Sequence, residues 1–154
     1  MSLKTYHLLT VWHFDTTVER IWNVVNDIEK IPSWWPGVSQ VRLLGGDKKL
    51  SEGALVQTEV RGLFWTLRFK LRVKCIEPPY RLSAESTGDL AGEGYWILYP
   101  EAGGTRAECH WWVSTTGRWM NLLGTLIRPL LKYSHNRVMA EGGRALARQV
   151  GSVY

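Results

Sequence analysis

Cysteine is scarce in this chain: only Cys75 and Cys109 occur in 154 residues. They lie far apart in strand-like runs, which suits reduced buried thiols rather than a disulfide framework. Long apolar runs are missing as well, because a charged residue interrupts each one before the roughly 18 to 20 residues that a membrane span needs. The segment Met1 to Leu9 lacks the basic region, apolar core and small-residue cleavage site of a secretory signal. A soluble protein of the reducing cytoplasm is expected.

Chemistry-bearing motifs are also absent. There is no phosphate-cradling glycine loop, no His-Glu-x-x-His, no Cys-x-x-Cys and no Gly-x-Ser-x-Gly elbow. His7 and His13 stand six residues apart on one strand, about 20 Å at strand rise, and Cys109 and His110 point to opposite faces, so no metal site and no cofactor are expected. The net charge is +5, which favours phosphate-bearing partners in general. The basic residues nevertheless scatter from Arg42 to Arg148 without a compact run or a nucleic-acid motif, so they read as a solvated face and no nucleic-acid partner is expected.

What is abundant is tryptophan. Nine occur: Trp12, Trp22, Trp34, Trp35, Trp65, Trp96, Trp111, Trp112 and Trp119. Indole offers a large apolar face and one donor, which suits an interior that grips a flat or aliphatic guest. With 45% hydrophobic and 21% charged residues, the chain matches one globular domain spanning 1–154.

The periodicities order the elements. Lys4 to Phe14 reads as a strand. Thr16 with Glu19 forms a capping-box pattern for a short helix over 17–26. Asp27 can cap a second short helix that ends near Trp34, where Pro36 biases Trp35 towards extended geometry. Strands follow at Val38–Leu44, Ala54–Arg61 and Trp65–Ile76, the last with all its odd residues, through Cys75, facing inward. The even face of the second of these, with Val56, Thr58 and Val60, is the more apolar, which puts Glu59 outside. After the Glu77-Pro78-Pro79-Tyr80 turn comes a fifth strand, and the stretch Gly88 to Gly92 leads to a sixth. A seventh spans Thr105 to Ser114, with Ala107, Cys109, Trp111 and Val113 on one face. From about Arg118 to Val150 an amphipathic stripe predicts one helix of nearly 50 Å, kinked near 125–129 by Pro129.

One strand, two short helices, six consecutive strands and a long helix define an α+β architecture of the helix-grip type. A seven-stranded antiparallel curved sheet wraps around the C-terminal helix, and the short helices lie between strands one and two.

At this point the sequence resembles the START-like superfamily, also called SRPBCC, and within it the polyketide cyclase/dehydrase and lipid-transport group. The likeness covers nearly the whole chain. It rests on Trp12-His13-Phe14-Asp15 running into Val18-Glu19-Arg20-Ile21-Trp22, then Trp34-Trp35-Pro36-Gly37-Val38 and Glu77-Pro78-Pro79-Tyr80-Arg81-Leu82. The block from Gly104-Thr105-Arg106 to Trp111, with Trp119-Met120 and His135-Asn136-Arg137-Val138-Met139, resembles a bacterial subgroup. These motifs mark strand ends, the helix pair and the grip, so the resemblance implies a cavity without fixing a chemistry.

Candidate cavity residues follow from the faces. Strand four supplies Trp65, Leu67, Phe69 and Leu71; strand six Trp96; strand seven Cys109 and Trp111. The C-terminal segment adds Met120, Ile127, Leu131, Ser134, His135 and Val138. Ser134 lies at the centre of the apolar stripe, where a hydroxyl must find a partner, and His135 at its margin, where an imidazole can serve acid/base chemistry. These two are the catalytic candidates, joined by Glu59 only if strand three turns its odd face inward, and a back-bond from Ser134 to the Leu130 carbonyl is the structural alternative.

The cavity entrance is expected where Gly62-Leu63-Phe64, Gly88-Asp89-Leu90 and Gly117-Arg118-Trp119 meet. Leu63, Phe64, Leu90 and Trp119 would form an apolar rim suited to transient membrane contact. The partner is then a hydrophobic or aromatic small molecule, lipid or polyketide-like, held by a carrier or sensor. The alternatives are a cofactor-free cyclase/dehydrase and a protein-interaction or chaperone-activator module, with enzyme activity the less favoured reading. The oligomeric state stays open.

Overall fold

A computed structural model describes residues 5–46, 49–62, 65–115 and 126–152. Strand β1 (Thr5–Phe14) turns Tyr6, Leu8, Trp12 and Phe14 inward and His7 and His13 outward. Helix α1 (Val18–Asn26) starts one residue later than the capping box suggests. Thr17 is the cap, its Oγ1 accepting from the Arg20 amide at 3.4 Å, while the Thr16 carbonyl accepts from Thr105 Oγ1 at 2.7 Å and is thereby tied to the sheet. Asp27 makes no side-chain cap; its carboxylate pairs with Lys30 Nζ at 2.9 Å. The segment behind it is a 3-10 turn (Ile28–Lys30) running into the one-turn helix α2 (Ile31–Trp34). Trp35 is extended, as the following proline requires.

The remaining strands are β2 (Val38–Leu43), β3 (Leu55–Arg61), β4 (Thr66–Glu77), β5 (Arg81–Gly88), β6 (Leu90–Glu101) and β7 (Gly104–Thr115). With β1 they form one antiparallel sheet in the order β1-β7-β6-β5-β4-β3-β2. The helix pair therefore joins the two opposite edges of the sheet. Alternation holds as expected on β3, where Val56 and Thr58 are buried and Glu59 faces out to Ser39 and Arg68. On β4 it holds only as far as Val73. A register shift between Val73 and Cys75 flips the parity, so Ile76 packs into the core while Cys75 Sγ lies 3.4 Å from Glu77 Oε1. The expected inward position of Cys75 is thus corrected by a bulge.

Helix α3 runs from Ile127 to Val150, about 36 Å. The expected start near Arg118 lies outside the described residues, and so does residue 125, where the expected bend at 125–129 begins; residues 127–129 form the first turn of α3. Pro129 stands in the first turn of α3 rather than in its interior, where the amide it lacks has no intrahelical acceptor in any case. Trp35 locks the helix to the α1–α2 pair: its Nε1 donates to the Val138 carbonyl at 2.9 Å, and its indole fills the space over Gly142, where a β-carbon would overlap it. Among the described residues no helix is long and apolar enough to cross a membrane.

Candidate functional site

The buried side chains form three clusters. One, around Trp12, Trp22, Trp35, Leu98 and Leu146, packs α1 and α2 against β1, β6 and α3. A second, around Tyr6, Leu8, Phe69 and Leu131, lies between β1, β4 and the first turns of α3. A third, Ile28, Val41 and Val56, sits under β2 and β3. Members of all three line one cavity of about 310 Å³ between the sheet and α3, at the lower end of the range of small-molecule sites. Two small residues help to leave it open: Ala84 of β5 and Gly94 of β6 are direct cross-strand partners on the inner face.

Of the expected cavity residues, Trp65, Leu67, Phe69, Leu71, Trp96, Cys109, Trp111, Leu131, Ser134, His135 and Val138 line this space. Ile127 does not. It is only 2% exposed and is consumed by packing in the second cluster, because the first turn of α3 lies directly on the sheet. Met120 lies outside the described residues, as do Leu63, Phe64 and Trp119 of the expected entrance. Leu90 is described and is not an exposed rim residue. It opens β6, its even parity turns it inward, and it is 4% exposed on the cavity wall. The turn before it is fastened to β4, with the Arg68 amide donating to Asp89 Oδ2 at 2.9 Å and the Asp89 amide to the Arg68 carbonyl at 3.0 Å.

Several wall residues come from elements that sequence reasoning treated as scaffold: Trp22, Val25 and Asn26 of α1, Ile31 of α2, and Trp35. The helical spacing of Val18, Ile21, Trp22 and Val25 marks them as buried, and only the fold shows that part of that face looks into the cavity. Nor do all tryptophans serve the interior. Trp112 lies on the outer face of β7 and stacks on His7 with ring centroids 4.5 Å apart.

The polar content of the wall is small. Among the described residues no Asp, Glu, Lys or Arg lines it. Asn26 Oδ1 is buried without a hydrogen-bond partner among them. His135, beside Ser134 on α3, sits with its ring centroid 6.1 Å from that of Trp111. Burial pushes its pKa below the usual value, and a long contact of 3.4 Å to Asn136 Oδ1 opposes this only in part, so the imidazole is neutral at pH 7. Burial likewise drives the Cys109 thiol up to about 12, despite a hydrogen bond with Trp96 that acts the other way. No group of three potential metal-ligating side chains converges among the described residues.

A curved antiparallel sheet closed by a long C-terminal helix over an apolar cavity defines a helix-grip, START-like protein. The chain belongs to the family described as polyketide cyclase / dehydrase and lipid transport, whose sequence pattern matches residues 8–151. Among solved structures it is similar to TTHA0849 from Thermus thermophilus, with 16% identity, a TM-score of 0.74, and coverage of 93% of this chain and 98% of that one. The Zhui aromatase/cyclase from Streptomyces sp. R1128 gives 14% identity, a TM-score of 0.76, and coverage of 96% and 94%. A START superfamily protein from Mycobacterium smegmatis gives 16%, 0.73, and coverage of 94% and 97%. No curated protein matches the sequence significantly. At these identities the likeness establishes the fold.

Proposed function

We propose that the chain is a single ligand-binding domain that holds a hydrophobic or aromatic small molecule, lipid or polyketide-like, in the cavity under α3, as a carrier or sensor. The observation that carries this reading is the cavity itself: about 310 Å³ of space walled by aromatic and aliphatic side chains, with no charged residue among the described lining. Well-packed interiors leave few voids larger than a water molecule, so a space of this size has a use. It also counts against a pure interaction module, which requires a collapsed core.

Cyclase-type acid/base catalysis is the second reading, and His135 is the observation in its favour. A neutral imidazole in an apolar pocket can take a proton from an acidic carbon acid, but an enolate would need donors placed around it to stabilise it, and the wall's other polar residues, Asn26, Thr58, Tyr95, His110 and Ser134, include no charge-bearing Asp, Glu, Lys or Arg.

Native mass spectra of the freshly purified protein, combined with tryptophan-quenching titrations against fatty acids, sterols and aromatic polyketides, test the proposal. A retained mass or saturable quenching supports it and names the ligand chemistry. Neither with any class would move the assignment to an interaction module. Turnover of a polyketide-like chain that disappears in His135→Ala, with binding retained, would favour the enzyme.

A further inference from the structure

The side chains of His7 on β1 and His110 on β7 share the outer face of the sheet, the side away from α3. In the antiparallel register His7 stands opposite Trp112 and His110 opposite Leu9, which makes the two imidazoles diagonal neighbours across the strand pair. His7 Nε2 lies 3.3 Å from His110 Nδ1. An aromatic ring backs each of them: Trp112 stacks on His7 with ring centroids 4.5 Å apart, and Tyr95 on His110 at 4.8 Å. The pair is invisible along the chain because its members are 103 residues apart; the expectation of no metal site compared His7 with His13 on one strand.

The second nitrogen of His110 decides its tautomer. His110 Nε2 is 3.1 Å from Glu108 Oε1, and the other carboxylate oxygen of Glu108 accepts from Arg106 Nε at 3.0 Å. A carboxylate only accepts, so His110 carries a proton on Nε2 and, as a neutral ring, presents the lone pair of Nδ1 towards His7. A carboxylate behind an imidazole is the arrangement that orients metal-ligating histidines and raises their basicity. The separation of the two nitrogens fits the same reading. At 3.3 Å the contact is long for a hydrogen bond, whereas two nitrogens held by one ion through bonds of about 2.05 Å stand about 3.4 Å apart at the tetrahedral angle.

We propose that His7 Nε2 and His110 Nδ1 bind a divalent transition-metal ion, Zn²⁺ by this geometry, with Glu108 as the positioning residue of His110 and water completing the coordination. Imidazole nitrogens suit Zn²⁺, Cu²⁺ and Ni²⁺ rather than Mg²⁺ or Ca²⁺. His7 is exposed, and rotation of its side chain turns the Nε2 lone pair from the neighbouring ring onto the ion. The proton that Nε2 carries in the contact with His110 passes to Nδ1 of the same ring, so one neutral tautomer replaces the other and no net proton is released. No third ligating side chain converges on the pair among the described residues, which leaves the remaining coordination positions open. The site is separate from the apolar cavity and does not depend on the cavity's use.

Calorimetric titration of the intact, untagged protein with Zn²⁺ at pH 7.5 in a non-chelating buffer tests the site, with His7→Gln, His110→Gln and Glu108→Gln alongside. Wild type is expected to take up one equivalent saturably. Glu108→Gln, which keeps an acceptor behind His110 but loses the charge, should bind about tenfold more weakly, and each histidine variant more weakly still. Electron paramagnetic resonance of the Cu²⁺-loaded wild type should show coupling to two imidazole nitrogens, and Glu108→Gln should retain that signal. No saturable uptake by wild type, coupling to fewer than two nitrogens, or uptake unchanged in both histidine variants overturns the proposal. Affinity unchanged in Glu108→Gln overturns the role given to Glu108. The wild-type spectrum decides the matter even where a variant folds poorly.

Discussion

Two titratable groups of the cavity wall, His135 and Cys109, respond to burial in ways that can be measured. His135 has its pKa lowered in the folded protein, whereas in the unfolded chain it titrates near 6.5. Above that pH both states are neutral and the residue is silent. As pH falls below about 6.5 the unfolded chain takes up the proton first, so stability declines until the lowered folded value is reached. The urea midpoint of wild type should therefore fall between pH 7.5 and 5 more steeply than that of His135→Gln, and parallel curves would remove His135 as the cause. Cys109 stays a thiol across the accessible range, its pKa being pushed up to about 12 by burial. Since the thiolate is the nucleophile, peptide mapping after iodoacetamide treatment of the folded protein at pH 8 should find Cys109 unmodified, and full labelling in urea. Labelling of the folded protein would mean that the wall opens to solvent there.

Between elements, the junction of α3 with Trp35 sets two effects of a single methyl group against each other. Gly142→Ala gains about 1 kcal/mol of helix propensity. Its β-carbon would overlap an indole that is held by the bond from its Nε1 to the Val138 carbonyl, and overpacking of this kind costs about 1 to 3 kcal/mol. Overlap should win. Chemical denaturation should find the variant less stable than wild type, and a gain in stability would show that Trp35 can leave its place. How far the elements were legible in the sequence follows from the same contrast between local and non-local causes. The alternation of β3 put Glu59 outside and the stripe on α3 put Ser134 and His135 inside, because burial writes itself into local periodicity. Thr16 and Thr17 are interchangeable as caps by composition, and only the bond from Thr105 to the Thr16 carbonyl decides between them. The bulge that turns Cys75 away from the core, and the inward look of Asn26 and Trp35, depend on partners far along the chain. No window of neighbouring residues reports them.

For the molecule as a whole, the cavity sets stability against use. An unfilled apolar space forfeits dispersion contacts all along its lining, and this one is kept open in part by the side-by-side pair Ala84 and Gly94. Gly94 cannot be filled, since a β-carbon there would come within 2.7 Å of the His110 carbonyl oxygen. Ala84 can, because its side chain already points into the space. Extending it to leucine adds three carbons of apolar surface, and after the cost of fixing the new side chain a gain of about 1 kcal/mol is expected. The same carbons occupy room that a guest would use. Ala84→Leu should therefore unfold at a higher denaturant concentration than wild type and bind an apolar probe such as decanol more weakly. Higher stability with unchanged binding would place the guest elsewhere, and lower stability would mean that the hollow beside Ala84 is already filled.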